Sequence, residues 1–137
     1  MGLIVGTDLV AVAEVSNSIR TFGTRYLERV FTDREVEATQ GPHQAERLAA
    51  RFAAKEAVMK ALRARDADMA VAWRTIEIRS APDGAPQVVL HDAARALAEL
   101  RGVRELAISL SHEHAYATAV AFGITAEAVT GGSLDHG

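Results

Sequence analysis

One long helical stretch constrains this chain more than any other feature. From about Gln44 to Arg65 it is made mostly of Ala, Glu, Lys, Arg and Leu, the strongest helix formers. A chain of 137 residues can build one core around such a helix; two domains would each be too small to bury a good interior. Hydrophobic residues make up 49% of the chain, a share inflated by alanine but still sufficient for a core and too large for a disordered polymer. Cysteine is absent, which excludes disulfides, thiolate metal sites and cysteine nucleophiles. A formal net charge of -3 provides no basic field for nucleic acid. No apolar run reaches the roughly 20 residues of a membrane helix. The run Gly2-Leu3-Ile4-Val5-Gly6 is too short for a signal peptide and lacks a basic flank. The expectation is a soluble, cytoplasmic protein with neither a membrane nor a nucleic-acid partner.

Around the long helix the sequence predicts short elements. Leu3 to Val5, bounded by glycines, reads as a strand, with Thr7 and Asp8 just past its end. A helix is expected from about Val10 to Phe22, stopped by Gly23, and a second short one from Arg25 to Val30. Thr32-Asp33-Arg34-Glu35 matches a capping box and should open a helix that ends by Gly41-Pro42. Thr75 to Arg79 alternates with period two; Pro82-Asp83-Gly84-Ala85-Pro86 has turn chemistry, and Gln87 to Leu90 returns as a hairpin partner. Asp92 can cap a helix running to Arg101. Leu106 to Leu110 and Tyr116 to Phe122 form a second hairpin through Ser111 to Ala115, and the latter strand sets a bulky face against three alanines. The fold class is α+β, a small, mostly antiparallel sheet packed with helices. The domain is expected over residues 1–124, and residues 125–137 as a mobile, polar tail.

Several residues invite a chemical reading. At about 100° per residue, Leu48, Phe52, Met59 and Leu62 share a helix face, and Lys55 falls within that stripe. A lysine there is costly unless its head escapes or finds a partner. Either its stem packs and its ammonium reaches water, or Arg51 and Lys55, one turn apart, neutralise an anion at the stripe's edge. Glu56 and Lys60 are spaced as an ordinary helix ion pair; alternatively Glu56 holds a hard divalent cation while lysines hold phosphate oxygens. Asp8 can cap the first helix or, at a strand end, serve a ligand. His112-Glu113-His114 offers too few ligands for a zinc site. Ser111 and His112, in a hairpin loop, either present a hydroxyl and an imidazole to an oxyanion or form a solvated turn. No Walker loop or dinucleotide glycine fingerprint is present.

Together, Val5-Gly6-Thr7-Asp8-Leu9, Arg51-Phe52-Ala53-Ala54-Lys55-Glu56-Ala57, Gly84-Ala85-Pro86 and Ser109-Leu110-Ser111-His112 resemble the holo-[acyl-carrier-protein] synthases, the small, single-domain 4'-phosphopantetheinyl transferases. The resemblance runs from about Leu3 to Phe122. It implies the fold of that family and a Mg²⁺-dependent enzyme of fatty-acid synthesis. Such an enzyme moves the phosphopantetheine arm of coenzyme A onto a serine of an acyl carrier protein, or of a carrier domain in a fatty-acid synthase, and releases adenosine 3',5'-bisphosphate. By the same resemblance Asp8 and Glu56 match the metal-binding acids, and Asp8, Glu56 and Lys60 the catalytic group. Arg51, Phe52, Lys55, Lys60, Ser111 and His112 would line the coenzyme A site. Gly84 and Pro86 would approach the nucleotide from a neighbouring subunit of a homotrimer. Glu14 stands where relatives often carry a basic residue for carrier docking, and Glu28 and Asp33 interleave with Arg20, Arg25, Arg29 and Arg34, so the docking patch is less basic than the family pattern. Ala85 replaces a side chain that is often basic.

The residues agree with this chemistry. Arg51, Lys55, Lys60 and His112 are suitable donors to the anionic oxygens of coenzyme A, with Mg²⁺ expected between Asp8, Glu56 and the diphosphate. Two other readings exist. A coenzyme A- or nucleotide-binding module without catalysis has no need for both Asp8 and Glu56. A structural oligomerisation domain leaves Lys55 unexplained.

Overall fold

The computed structural model describes residues 1–64 and 73–126. Strand β1 (Gly2–Ala11) leads into helices α1 (Val12–Phe22), α2 (Thr24–Val30), α3 (Asp33–Ala38) and α4 (Gln44–Ala61). A 3-10 turn (Trp73–Thr75), strands β2 (Ile76–Ser80) and β3 (Pro86–Leu90), helix α5 (Asp92–Leu100), and strands β4 (Val103–His112) and β5 (Tyr116–Thr125) follow. The expected small sheet is divided in two: a three-stranded sheet ordered β1-β5-β4 and a two-stranded β2-β3 hairpin. All pairings are antiparallel.

Helix α4 packs across β1 and β5, and small residues determine how closely. Ala53, Ala54, Ala57 and Ala61 on the helix meet Ala117, Ala119 and Ala121 on β5, all buried. The two-residue alternation of β5 is thus resolved with the alanines inward, while Tyr116, Val120 and Phe122 face out with Leu3, Val5 and Leu9 of β1. Phe31, Leu48, Val58, Leu62 and Ile76 complete the interior.

The local signals hold at several junctions. Gly23 ends α1 with φ 58°, and its amide donates to the Ile19 carbonyl at 2.8 Å. The capping box of α3 is formed: the Glu35 amide donates to Thr32 Oγ1 at 3.2 Å, and the Thr32 amide to Glu35 Oε1 at 2.8 Å.

Four expectations are corrected. Asp8 does not cap α1; β1 continues three residues beyond it, because the alternation of Gly6, Asp8 and Val10 inward with Thr7 and Leu9 outward extends the strand. Helix α4 ends at Ala61, short of Arg65, which lies outside the described residues. There Arg63 takes φ 55°, and Arg101 caps the helix from afar, donating to the Leu62 and Arg63 carbonyls at 3.1 and 3.2 Å. Asp92 makes no cap either; His91 holds the N-cap position of α5 and Asp92 is its first residue. Thr125 belongs to β5, buried and paired with Gly2, so it is not part of the expected tail; residues 127–137 lie outside the described residues.

Candidate functional site

Glycine at position 6 brings β1 and α4 together. A Cβ on Gly6 would lie 2.1 Å from the Ala57 carbonyl oxygen, so only glycine allows this approach. Two residues on, the same strand face presents Asp8; the residue beside Ala57 on the helix is Glu56. Lys60, one turn later, donates to Asp8 Oδ1 at 2.9 Å and to the Thr7 carbonyl at 3.0 Å. The helix ion pair expected between Glu56 and Lys60 is therefore replaced by one that crosses to the strand. Thr118 Oγ1 donates to the Asp8 carbonyl at 2.9 Å, and Thr7 Oγ1 to that of Ala119 at 3.1 Å, fixing β1 against β5.

The two acids act on each other electrostatically. Burial pushes the Glu56 carboxyl above its ordinary value, the negative charge of Asp8 pushes it further, and Lys60 opposes both. Glu56 has no hydrogen-bonding partner among the described residues. Two adjoining carboxylates, one driven toward its neutral form, suit a hard dication, which uses one or two carboxylates and fills its shell with water and phosphate oxygens. Among the described residues no cluster of three or more metal-ligating side chains occurs, and the His112-Glu113-His114 run is not one.

Ser111 and His112 lie in β4, opposite Thr118 and Ala117, and not in a loop. The ladder simply persists to the end of the hairpin. They border a cleft of about 240 Å³ with Leu9, Tyr116 and Thr118. His112 Nδ1 lies 3.5 Å from Glu46 Oε2 in the first turn of α4, and His43 Nδ1 is 3.4 Å from the other oxygen.

Arg51 is half-buried on α4. Burial lowers its pKa, the Glu35 carboxylate raises it, and Arg47 lowers it. Its Nε is buried with no partner among the described residues, an open donor where an anion can bind. Phe52 stacks on Trp73, ring centroids 4.9 Å apart and planes 23° from parallel. Gly84, at φ 87°, shapes an exposed turn whose hydrogen bonds remain within the hairpin, closed by Gly84 N to Ala81 O and Ala81 N to Ala85 O, both 2.8 Å. Pro86 opens β3 opposite Ser80. A Cβ on Gly84 would meet nothing within 4 Å, so the turn faces open space at that residue.

Lys55 departs from both sequence readings. It neither snorkels nor faces an anion site: its side chain is 0% exposed and paired with Glu35 Oε1 at 2.8 Å. The Trp73 and Ile76 carbonyls take its other two hydrogens at 2.8 and 2.6 Å. It is removed from the coenzyme A residues because no donor is left for a phosphate. A structural reading of the domain therefore no longer leaves Lys55 unexplained; what that reading leaves unexplained is the Asp8-Glu56 pair. Sequence reasoning missed Glu35 as the partner, although a lysine in an apolar stripe required one. It also missed Trp73, Glu46, Glu77 and the packing role of Gly6. Glu77 is buried; burial alone would raise its pKa, but Thr32, His91 and Arg79 donate to it and hold it at about 2.

The profile of the 4'-phosphopantetheinyl transferase superfamily matches residues 4–121. A holo-[acyl-carrier-protein] synthase of Moorella thermoacetica is 47% identical over 120 residues, covering 87% of this chain and 91% of that protein. The Koribacter versatilis protein of the same name is 41% identical, covering 87% and 95%. Among solved structures, an ACPS-CoA complex from Chronobacterium ammoniagenes superposes with a TM-score of 0.81 at 30% identity, covering 93% of this chain and all (100%) of that one. Helicobacter pylori holo-[acyl-carrier-protein] synthase in complex with coenzyme A gives a TM-score of 0.77 at 25% identity, covering 88% and 100%.

Proposed function

Since the chain belongs to the 4'-phosphopantetheinyl transferase superfamily, we propose that the Asp8-Glu56-Lys60 cluster is where it transfers the phosphopantetheine arm of coenzyme A to an apo acyl carrier protein. The transfer activity itself follows from the relatives, whose shared name spans nearly the whole chain. The single observation that carries the location is the close approach of β1 to α4 at Gly6, with Asp8 of the strand bound to Lys60 one turn past Glu56 on the helix.

Asp8 and Glu56 would hold Mg²⁺, which when bound supplies stabilisation of charge on the leaving phosphate oxygens. The acceptor serine oxygen attacks the phosphorus bearing pantetheine, and the bond to adenosine 3',5'-bisphosphate breaks. Glu56 takes the serine proton, directly or through a water; its half-buried carboxylate, without a hydrogen-bonding partner among the described residues, supports that role. Lys60, tied to Asp8 Oδ1 and the Thr7 carbonyl, holds Asp8 in place and sets a positive charge beside the diphosphate. Arg51 offers its Nε, buried and without a partner among the described residues, to a phosphate, and His112 and Ser111 offer an imidazole and a hydroxyl from the end of β4. Positioning and electrostatics do most of the work in such transfers.

The assembly is read as a homotrimer. Leu3, Val5, Leu9, Tyr116, Val120 and Phe122 expose one apolar sheet face, from 39% to 68% exposed, which supports burial against other copies. The free-standing Gly84-Pro86 turn supports a contribution to a neighbour's coenzyme site. Arg20, Arg25, Arg29 and Arg34 are exposed and support docking of an acidic carrier, discrete or within a fatty-acid synthase. No helix among the described residues is long and apolar enough to cross a membrane; we read the reaction as cytoplasmic, where the resemblance to acyl-carrier-protein synthases puts it.

The test is to incubate the protein with coenzyme A, Mg²⁺ and a panel of apo-carriers, and to weigh the carriers. A gain of one phosphopantetheine that is lost on chelation is the expected result. Coenzyme A binding without any gain on any carrier would mark a binding module that has lost catalysis.

A further inference from the structure

Lys55 is the buried charge that the transfer chemistry leaves unused. An ammonium has three hydrogens, and each finds an acceptor here: Glu35 Oε1, the Trp73 carbonyl and the Ile76 carbonyl. Glu35 accepts in turn from the Thr32 amide at 2.8 Å and the Ile78 amide at 2.9 Å. One ion pair thus joins α3, α4 and the segment that runs from Trp73 into β2. That segment carries the ring stacked on Phe52. Arg51, adjacent to Phe52 in sequence, has the buried open Nε and feels the same Glu35 carboxylate.

We propose that Lys55 is a positioning residue for coenzyme A: by holding the Trp73 carbonyl it seats the Trp73 ring on Phe52 and so fixes the wall beside Arg51 against which the coenzyme binds. The inference rests on the reading of Arg51 and Phe52 as coenzyme A residues. A methionine at position 55 keeps the apolar stem but withdraws donors from two carbonyls and a carboxylate. The Trp73 segment then loses its anchor on α4. An arginine restores charge and donors, though displaced.

Trp73 is the one tryptophan in the chain, so its emission reports on this wall alone. KM for coenzyme A and kcat are measured at saturating carrier for wild type, Lys55→Met, Lys55→Arg and Trp73→Ala. The expected result is a KM increase of about tenfold in Lys55→Met and Trp73→Ala, with kcat held within about threefold. Emission of Lys55→Met shifts to the red as the ring leaves Phe52, and Lys55→Arg recovers part of both changes. Trp73→Ala keeps the backbone carbonyl that Lys55 binds. Should Lys55→Met fail to fold, Glu35→Gln takes its place; it retains an acceptor but not the charge, and a smaller KM increase with a red shift is expected. An unchanged KM in Trp73→Ala, or a fall in kcat alone in the position 55 or 35 variants, overturns the proposal. A wild-type protein that neither binds nor uses coenzyme A overturns the donor-site reading instead.

Discussion

Gly6 lies so close beneath Ala57 that the first carbon of any side chain would be 2.1 Å from the Ala57 carbonyl oxygen and 2.7 Å from the Ala61 nitrogen. Both obstacles are backbone of α4, so neither can rotate away. Gly6→Ala must therefore push helix from strand, and that is the separation on which the meeting of Asp8 and Glu56 depends. Overpacking of this kind costs about 1–3 kcal/mol or more. Urea unfolding should show a lower midpoint, and the folded fraction should transfer more slowly than wild type. A variant as active and stable as wild type would show that the close approach is dispensable.

Glu56→Gln keeps the size of the side chain and removes its negative charge. With full coenzyme A and Mg²⁺, transfer should fall by about 100-fold or more, the range general-base loss commonly spans. Thermal stability should hold or rise slightly, since the native carboxylate is half-buried, feels the charge of Asp8 and has no hydrogen bond among the described residues. Transfer near the wild-type rate would take Glu56 out of the mechanism.

The buried pair should show strong coupling. Lys55→Met leaves the Glu35 carboxylate inside the protein with its Thr32 and Ile78 amide donors but no cation. Breaking such a pair from one side costs about 3–5 kcal/mol. Adding Glu35→Gln removes the stranded charge, so the double variant should be more stable than the two single losses predict. Urea denaturation of the four proteins gives the coupling directly; additive losses would contradict the ion pair.

Acid should weaken the fold through Glu77. Its folded pKa, about 2, lies below its ordinary 4.5. Burial opposes ionisation, but donation from Thr32, His91 and Arg79 prevails. A depressed carboxylate stabilises the fold above its unfolded pKa, and that contribution disappears as pH falls from about 4.5 to about 2. It amounts to about 3 kcal/mol. Glu77→Gln should be less stable than wild type at pH 7, and the gap should close across that window. A gap independent of pH would mean the carboxylate is not held ionised.

Period and punctuation made much of the fold legible. Gly23, the Thr32-Glu35 box, the Gly84 turn and the long α4 needed only local rules. Thr7 and Asp8 look locally like the end of a strand; the continuation of β1 depends on a ladder to β5 more than a hundred residues away. The motif residues marked Asp8, Glu56 and Lys60, but their spacing in sequence could not show that Lys60 turns to β1 instead of Glu56. Lys55 was the harder case. Its position in an apolar stripe signalled that a partner was needed, but the partner, Glu35, had already been assigned to a helix cap. It performs both tasks with the same Oε1 atom, and only tertiary packing brings the two together.

The apolar face of the three-stranded sheet gives the last prediction. Val120 and Phe122 project from β5, 39% and 43% exposed, beside Val5 and Leu9 of β1 at 64% and 65%. The inward side of β5 is all alanine at 117, 119 and 121, so a change at 120 or 122 leaves the contact with α4 untouched. A charge on the outward side should therefore spare the monomer's core and disrupt association, where a desolvated unpaired charge is costly. Val120→Glu and Phe122→Glu should sediment as monomers with native circular dichroism, while wild type sediments as a trimer. If the Gly84-Pro86 turn completes a neighbour's site, transfer should fall together with the trimer, and mixing each variant with wild type should not restore it. A wild-type monomer at working concentration, or a fully active monomeric variant, would separate the site from any assembly.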